Sequence, residues 1–275
     1  MKKLRPIHLA IIMGIFAAFF VYEAFSSEHL SYHFSFVGYG GTFKNHDLKI
    51  VGIPIYWFLL LCGFIITLIV SWNRCEKYHI NKIGAIVFPV LFLLIAYAGG
   101  KILYIVENYI QFKKSGLELD GMSLYGAIYL VLIAVPLIAI CTKKRVLSMY
   151  DFFTPFGIIL LACVRTGCFF NGCCGAITIW NETTPIILPV QLIEVVSDLL
   201  ILELCFWIEK KYTFKGYMYP AFMLLYGVCR FLLEFLRDTP KDIAFLSHGQ
   251  VFSLIGIVLS LIMFAICKQQ KSKHI

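Results

Sequence analysis

Residues 152–174 of the chain read FFTPFGIILLACVRTGCFFNGCC. As far as residue 170 this stretch is apolar and close to the roughly 20 residues that cross a bilayer as a helix. Arg165 stands inside it, where a charged side chain is costly and by default marks a functional site. A planar guanidinium suits phosphate or carboxylate, and the abundant phosphate of a membrane is the lipid head group. The stretch therefore predicts a membrane helix that carries a lipid-phosphate site.

The whole chain has the composition of a polytopic membrane protein. Of its 275 residues, 60% are hydrophobic and 15% are charged, whereas soluble domains are about 45–50% apolar. We predict an all-α fold with eight transmembrane helices, at residues 7–25, 52–72, 84–106, 122–141, 152–170, 190–208, 216–236 and 249–267. Residues 1–51 hold the first helix and an outward, aromatic interfacial segment, and residues 52–275 form the main transmembrane domain.

The first predicted helix has the start of a signal peptide, because Lys2, Lys3 and Arg5 precede an apolar run. Its end is rich in phenylalanine and offers no clear cleavage site between small residues. We therefore predict that residues 7–25 are retained as a helix.

The basic residues predict the orientation of the helices. With the N-terminus inside, one side of the membrane receives 15 of the 24 lysines and arginines, which predicts that both termini are cytoplasmic. The net charge of +8 then reflects orientation, and no nucleic-acid partner is predicted because no basic face is large enough to follow a duplex. The 15 residues are Lys2, Lys3, Arg5, Arg74, Lys77, Lys82, Lys143, Lys144, Arg145, Lys210, Lys211, Lys215, Lys268, Lys271 and Lys273.

Three of the ten cysteines cluster, at Cys168, Cys173 and Cys174. Their C-x4-C-C spacing matches neither the usual zinc pattern nor a redox C-x-x-C pair. Three interpretations stay open: a disulfide from Cys168 to Cys173 or Cys174, buried inert thiols, or reactive or metal-binding thiols. Most other cysteines fall within predicted helices and are expected to act as small apolar residues: Cys62, Cys141, Cys163, Cys205, Cys229 and Cys267.

Polar residues recur in the sixth predicted helix. Gln191 and Glu194 are three residues apart on one face, and Asp198 lies four residues beyond Glu194. A carboxylate at this depth needs a cationic partner or a proton. Lys101, after Gly99-Gly100, is either a site residue or an interfacial lysine that reaches outward from a helix end.

The seventh predicted helix carries Arg230 and Glu234, four residues apart, with Arg237 on the same face. One interpretation is a structural ion pair. The other adds Arg165, so that three guanidiniums converge near the outer leaflet and form a cradle for a phospholipid head group.

Taken together, these motifs resemble the prolipoprotein diacylglyceryl transferases of bacterial membranes, over residues 50–268. In the family signature, approximately G-R-x-G-N-F-x-N-G-E-x-x-G, the matching residues are Arg165, Gly167, Phe169, Asn171 and Gly172. Downstream, PVQLIE at 189–194, YGVCRFLLEFLR at 226–237 and GQVFS at 249–253 resemble three further family motifs in the family's order.

The chain departs from the family pattern at three positions. GMSLYG at 121–126 resembles the family's G-M-S-x-H-G-G, with Tyr125 at the histidine. Cys168 stands at the signature asparagine, and Cys173 at its glutamate. A phenol with an ordinary pKa near ~10 is a poor base at neutral pH, although it can donate a hydrogen bond.

The resemblance implies transfer of diacylglyceryl from phosphatidylglycerol to the cysteine thiol of a lipoprotein signal peptide, at the bacterial cytoplasmic (inner) membrane. It implies no cofactor and no metal, and its partners are phosphatidylglycerol, the lipoprotein precursor's signal peptide and the lipid bilayer. The implied catalytic residues are Arg165, Arg230, Glu234 and Tyr125. The implied substrate-binding residues are Tyr56, Lys101, Asn171, Gln191, Glu194, Tyr226, Arg237 and Gln250.

Because of the departures, three other functions stay open. One is a related transferase with another thiol or alcohol acceptor. Another is a lipid-binding or transport protein that keeps the arginines but performs no chemistry. The last is a thiol-redox membrane protein built around the three clustered cysteines.

Overall fold

The structure is a computed structural model, and it describes residues 49–50, 53–107, 109, 121–171, 178–179, 186–187, 190–212, 216–237, 239, 241, 243 and 245–272. Seven α-helices occur in these ranges: α1 (Ile55–Arg74), α2 (Lys82–Glu107), α3 (Leu124–Cys141), α4 (Val146–Asn171), α5 (Val190–Lys211), α6 (Met218–Leu233) and α7 (His248–Ser272). Two 3-10 turns, Glu76–Tyr78 and Glu234–Leu236, follow α1 and α6. Two antiparallel pairs of two-residue strands are β1 (Lys49–Ile50) with β2 (Ile53–Pro54), and β3 (Thr178–Ile179) with β4 (Ile186–Ile187).

The predicted all-α polytopic membrane fold is confirmed. Within the described ranges, six helices are long and apolar enough to cross a membrane, namely α1, α2, α3, α4, α6 with its 3-10 turn, and α7. The α5 helix is long enough at 22 residues but carries more charge, and its acidic residues Glu194 and Asp198 are buried inside the bundle. The predicted helix at 7–25 lies outside the described residues, as does the predicted aromatic segment at 26–51 except for residues 49–50.

Helix α4 is the centre of the bundle. In its membrane-length window 83% of residues are buried, against 28% for α3 and α7, because it packs against α1, α3, α5 and α6. Phe152, Phe153 and Phe156 are almost fully buried and contact Phe88 and Phe92 of α2 ring to ring. This helix begins six residues earlier than the predicted span, and the extra turn carries the buried Asp151. The motif with Arg165 therefore sits on the most enclosed helix.

The outer helices expose large apolar side chains, which is the pattern expected of surfaces that face lipid tails. Leu94, Ile133 and Leu137 on α2 and α3 are more than half exposed, as are Val258 and Leu261 on α7.

Helices α2 and α3 approach each other closely at a pair of glycines. A Cβ placed on Gly99 would collide with the carbonyl oxygen of Gly126, and a Cβ on Gly126 would collide with that of Gly99. Small residues let membrane helices bring their backbones together in this way. Gly99 and Gly126 therefore let the backbones of α2 and α3 lie in direct contact.

Charged residues tie the helices together at one end of the bundle, here called the basic end, where α1, α3 and α5 end and α4 and α6 begin. The Arg74 guanidinium donates to Glu209 at 2.9 Å and to the Asp151 carbonyl at 2.8 Å. The Asp151 carboxylate accepts from the backbone amides of Gly216 at 2.5 Å and Met218 at 2.9 Å, at the start of α6. The sequence does not predict the contacts of Arg74 and Asp151, because their partners are more than sixty residues away along the chain.

Tyr78 completes this cluster. Burial raises the pKa of its phenol well above the ordinary value, so the hydroxyl keeps its proton and donates it to Glu209. Lys77 pairs with the same carboxylate at 3.2 Å. The opposite end of the bundle, here called the site end, holds the starts of α1, α3, α5 and α7 and the ends of α2, α4 and α6.

Candidate active site

Three arginines meet at the site end because three helices bring them there. Arg165 lies in the last two turns of α4, Arg230 in the last turn of α6, and Arg237 just after the 3-10 turn that follows α6. All three side chains are at most 9% exposed. Buried guanidiniums require partners, which here are two glutamates.

Glu194, in the second turn of α5, is the common partner of all three arginines. Its Oε2 lies 2.8 Å from Nε of Arg165, while its Oε1 contacts Nη1 of Arg230 and lies 3.5 Å from Nη1 of Arg237. The carboxylate is only 2% exposed. One buried anion thus connects α4, α5 and α6.

Glu234 is the second anchor. Its Oε2 forms ion pairs with Arg230, 2.9 Å from Nη2, and with Arg237, 3.6 Å from Nε. Its Oε1 accepts from the hydroxyls of Thr239 and Ser247, both at 3.0 Å. The helix tightens to a 3-10 turn at Glu234, and Arg237 has extended backbone angles. Arg237 therefore reaches the cluster from a turn and not from the helix face that the sequence predicts.

The start of α7 is fitted against Glu234. The side-chain oxygen of Gln250 accepts from the backbone N–H of Ser247 at 3.0 Å. In return, the Ser247 hydroxyl oxygen accepts from the backbone N–H of Gln250 at 3.2 Å. A Cβ on Gly249 would come within 2.8 Å of a Glu234 carboxylate oxygen. Only glycine leaves room for that contact, which gives a physical reason for the Gly-Gln pair of the motif.

Tyr125 is buried and its hydroxyl is hydrogen-bonded to Ser253 of α7. The Ser253 hydroxyl donates its own proton to the Gly249 carbonyl at 2.7 Å. Since a hydroxyl has one proton to donate, Tyr125 is the donor in its pair with Ser253. The phenol joins α3 to α7 and keeps oxygen lone pairs for accepting.

Three buried polar groups at this end have no hydrogen-bond partner within the described part of the chain. They are both carboxyl oxygens of Asp198, the Tyr226 hydroxyl and the side-chain nitrogen of Gln250. Buried polar groups are normally satisfied, so these three are candidates for contact with a polar substrate.

The structure also describes four other residues that the sequence singles out. The Tyr56 ring packs on Gly167 of α4, and Gln191 is buried on α5. Lys101 donates to the Gly121 carbonyl at 3.1 Å, at the junction of α2 and α3. Cys168 is buried in α4.

Some predictions lie beyond the described residues. Cys173 and Cys174, and the side chain of Asn171, are outside them. The disulfide from Cys168 therefore stays a prediction.

Ser247 and Thr239 are two site residues that the sequence does not predict. A serine and a threonine in a polar turn carry no signal by themselves, and only the fold brings their hydroxyls to Glu234. In the described ranges, no group of three or more His, Cys, Asp or Glu side chains is arranged to hold a metal ion.

The described residues thus form a membrane helix bundle with a buried cluster of arginines and glutamates at one end. Comparison with known proteins then gives the family: the model of the prolipoprotein diacylglyceryl transferases matches residues 46–266. The chain belongs to this family.

Relatives of nearly the same length support the assignment. The chain is 28% identical over 248 residues to the phosphatidylglycerol–prolipoprotein diacylglyceryl transferase of Clostridium tetani, covering 83% of this chain and 98% of the relative. It is 25% identical over 249 residues to transferase 2 of Clostridium perfringens, covering 82% and 96%. It is 28% identical over 240 residues to the Finegoldia magna enzyme, covering 81% and 95%.

Proposed function

We propose that this protein transfers the diacylglyceryl group of phosphatidylglycerol to the cysteine thiol in the signal peptide of a lipoprotein precursor. The observation that carries the proposal is the convergence of Arg165, Arg230 and Arg237 on Glu194 and Glu234 in a member of the transferase family. The names of the relatives give the same donor and acceptor.

The charges of the cluster suit a phosphodiester. Three guanidiniums outnumber the two ion-paired glutamates by one positive charge, which an anionic head group can neutralise. Asp198 lies one turn further along α5 from Glu194. When its carboxyl is ionised it offsets the extra positive charge, and when it takes up a proton that charge is left for the head group to neutralise. Guanidiniums held in place by carboxylates stabilise an anion without having to reorganise during the reaction.

The chemistry replaces one bond with another at a glyceryl carbon. The thiol sulfur forms a bond to that carbon, and the carbon–oxygen bond to the phosphate breaks. The departing glycerol phosphate keeps the electron pair and gains a negative charge. Arg165 and Arg230 are placed to disperse this charge, while Glu194 and Glu234 fix their orientation.

The distribution of charge supports a site that faces away from the cytoplasm. Exposed Lys77, Lys143 and Arg145 lie at the basic end, opposite the arginine cluster. The positive-inside rule places that end in the cytoplasm. The site then opens towards the outer leaflet of the inner membrane, both termini are cytoplasmic, and a secreted signal peptide meets the site from outside.

The test is transfer of labelled diacylglyceryl from phosphatidylglycerol vesicles to a signal peptide with its cysteine, by purified protein. Arg165→Ala should abolish transfer, because the anion loses a buried guanidinium. Arg145→Ala, which removes an exposed arginine from the basic end, should keep it. A folded wild-type protein that binds the lipid without any transfer would overturn the proposal and favour a lipid-binding role. Loss of activity on changing Cys168 but not Arg165 would favour a thiol-redox protein.

A further inference from the structure

Thiol alkylation needs an acceptor for the proton of the thiol. A cysteine thiol has an ordinary pKa of about 8.5 and is mostly protonated at neutral pH, so a base must take the proton as the sulfur reacts. Two carboxylates of the site end are already engaged, because Glu194 contacts three arginines and Glu234 contacts two arginines and two hydroxyls. The third carboxyl at this end belongs to Asp198.

Asp198 lies on the buried face of α5. Glu194 and Ile201 share this face, which packs against α4 and α6, whereas Val196 and Leu200 on the other side of the helix are more than half exposed. The aspartate is 1% exposed, and neither of its carboxyl oxygens has a hydrogen-bond partner among the described residues. Buried carboxyl groups are normally hydrogen-bonded, so this one can take a polar contact from a substrate.

Charged groups from the helices packed around Asp198 act on its carboxyl. Glu194, one turn away on the same face, is in contact with Arg165 of α4 and Arg230 of α6. These three residues interact electrostatically with Asp198, and so does the thiol of Cys229 on α6. Burial favours the neutral form of a carboxyl, whereas guanidiniums favour its ionised form. A carboxyl between these two influences can both accept and release a proton, as a general base must in each reaction cycle.

Asp198 lies on the inner side of the arginine cluster. Helix α5 begins at the site end, so Asp198 is one turn, about 6 Å along the axis, further into the bundle than Glu194. Helix α6 ends at the site end, so Tyr226 is likewise one turn further in than Arg230. The Tyr226 hydroxyl also has no hydrogen-bond partner in the described part of the chain. Two buried polar groups thus lie one turn inward of the guanidiniums.

The reacting carbon of the lipid belongs on the same inner side. With the phosphate at the arginines, the acyl chains run from it towards the middle of the bilayer. The glyceryl carbon bonded to the phosphate oxygen then lies inward of the phosphate. A thiol displaces that oxygen from the opposite side of the carbon, so the sulfur lies further inward again. The attacking thiol is therefore expected at the level of Asp198.

We propose that Asp198 takes the proton of the acceptor thiol. The inference rests on the proposed function. As the sulfur–carbon bond forms and the carbon–oxygen bond breaks, the thiol proton passes to a carboxylate oxygen of Asp198. The electron pair of the carbon–oxygen bond stays with the departing glycerol phosphate. The phosphate gains one negative charge while Asp198 loses one, so the net charge of the buried site is unchanged. Once the product has left, the carboxyl returns its proton to water.

The test compares two acceptor peptides that differ in one atom, a signal peptide with its cysteine and the same peptide with selenocysteine. A selenol is ionised at neutral pH and needs no base, whereas a thiol does. Asp198→Asn should lower kcat for the cysteine peptide by about 10²-fold or more, the usual contribution of a general base. It should lower kcat much less for the selenocysteine peptide. The KM for phosphatidylglycerol should not rise, because loss of the carboxylate leaves more positive charge for the head group.

The matched control is Glu203→Gln, an acid-to-amide change at an exposed position of the same helix. It should leave the rates with both peptides unchanged. Asp198→Glu is a second variant, which keeps a carboxyl but moves it by one carbon. It should lose less of the rate with the cysteine peptide than Asp198→Asn, and selenocysteine should restore it in the same way. Thermal unfolding in detergent checks that each variant is folded, and if Asp198→Asn is not, the two rates of Asp198→Glu decide.

The outcomes separate this inference from the proposed function. If wild-type protein transfers the lipid and Asp198→Asn keeps its rate with the cysteine peptide, the inference is wrong while the proposed function stands. The same holds if a folded variant loses the same factor with both peptides, because that pattern shows a structural role. If wild-type protein transfers the lipid to neither peptide, both fail.

Discussion

At the scale of single residues, Glu194 connects more charged side chains of the site end than any other described residue. It is 2% exposed and receives guanidinium groups from three different segments. Breaking a buried ion pair by removing one partner costs more than the pair itself contributes, because the other charge is left without compensation. Without Glu194, three buried guanidinium groups would lose the carboxylate that they share.

Glu194→Ala should therefore lower the free energy of unfolding by about 3–5 kcal/mol, the range seen when a buried ion pair loses one member. Thermal unfolding in detergent, followed by circular dichroism, measures the change. The control is Glu203→Ala on the same helix: its side chain is exposed, so the change should stay within about 0.5 kcal/mol. Equal stability of the two variants would show that the cluster adds nothing to the fold.

Tyr125 shows what a residue-level prediction from sequence can miss. The motif places a tyrosine at the family's histidine position and suggests a catalytic role. Its hydrogen-bond partner, Ser253, lies 128 residues away, and Ser253 in turn donates to Gly249. The direction of the tyrosine's proton depends on both contacts, so it is decided by tertiary structure.

At the scale of elements, the sequence pattern places the helices well. Each of the seven described helices overlaps a predicted span, and α5 begins at the predicted residue 190. Among helix starts, the largest difference from the predicted span is at α4, which begins at Val146. Among helix ends, it is at α7, which extends to Ser272. Both extend beyond the apolar run, because hydropathy marks the part of a helix that crosses the lipid and not the turns on either side.

The contact between α2 and α3 gives a prediction at this scale. Gly126→Ala should destabilise the protein by about 1–3 kcal/mol, the usual cost of overpacking, since its Cβ would collide with the Gly99 backbone. Gly157→Ala is the control, because a Cβ there would lie 3.4 Å from the Phe92 ring. Alanine also has a higher helix propensity than glycine, so the stability of Gly157→Ala should match or exceed that of wild type. The apparent melting temperature in detergent distinguishes them, and a Gly126→Ala protein as stable as wild type would contradict the contact.

At the scale of the whole molecule, the bundle has two different charged ends. The basic end holds Arg74, Asp151 and Glu209, which fasten helix termini to one another. The site end holds the three arginines and the two glutamates. Among the described residues, the buried Ser71 hydroxyl and Nε of Arg74 lack a hydrogen-bond partner at the basic end, and both oxygens of Asp198, the Tyr226 hydroxyl and the side-chain nitrogen of Gln250 lack one at the site end. The site end thus has the larger set of such groups in addition to its three arginines.

The proposed orientation can be tested by labelling introduced cysteines in intact cells. Phe245, at the site end, is 92% exposed, so a membrane-impermeant maleimide should label Phe245→Cys without permeabilisation. Lys143→Cys, at the basic end, should react only after permeabilisation. The parent protein gives the background from native thiols such as the exposed Cys141. The reverse pattern would place the site in the cytoplasm and contradict the proposed access of a secreted signal peptide.

The sequence by itself determined the all-α membrane fold, the seven described helices and the identities of the arginines and glutamates, because apolar length and costly intramembrane charge are local properties of the chain. Only the tertiary structure decided which partners meet. Glu194 joins residues from α4 and α6, and Ser247 reaches Glu234 across a turn. Spacing along one helix shows which residues share a face, but apolar faces turned to lipid and to protein have similar composition. Contacts between helices follow from packing, which hydropathy does not encode.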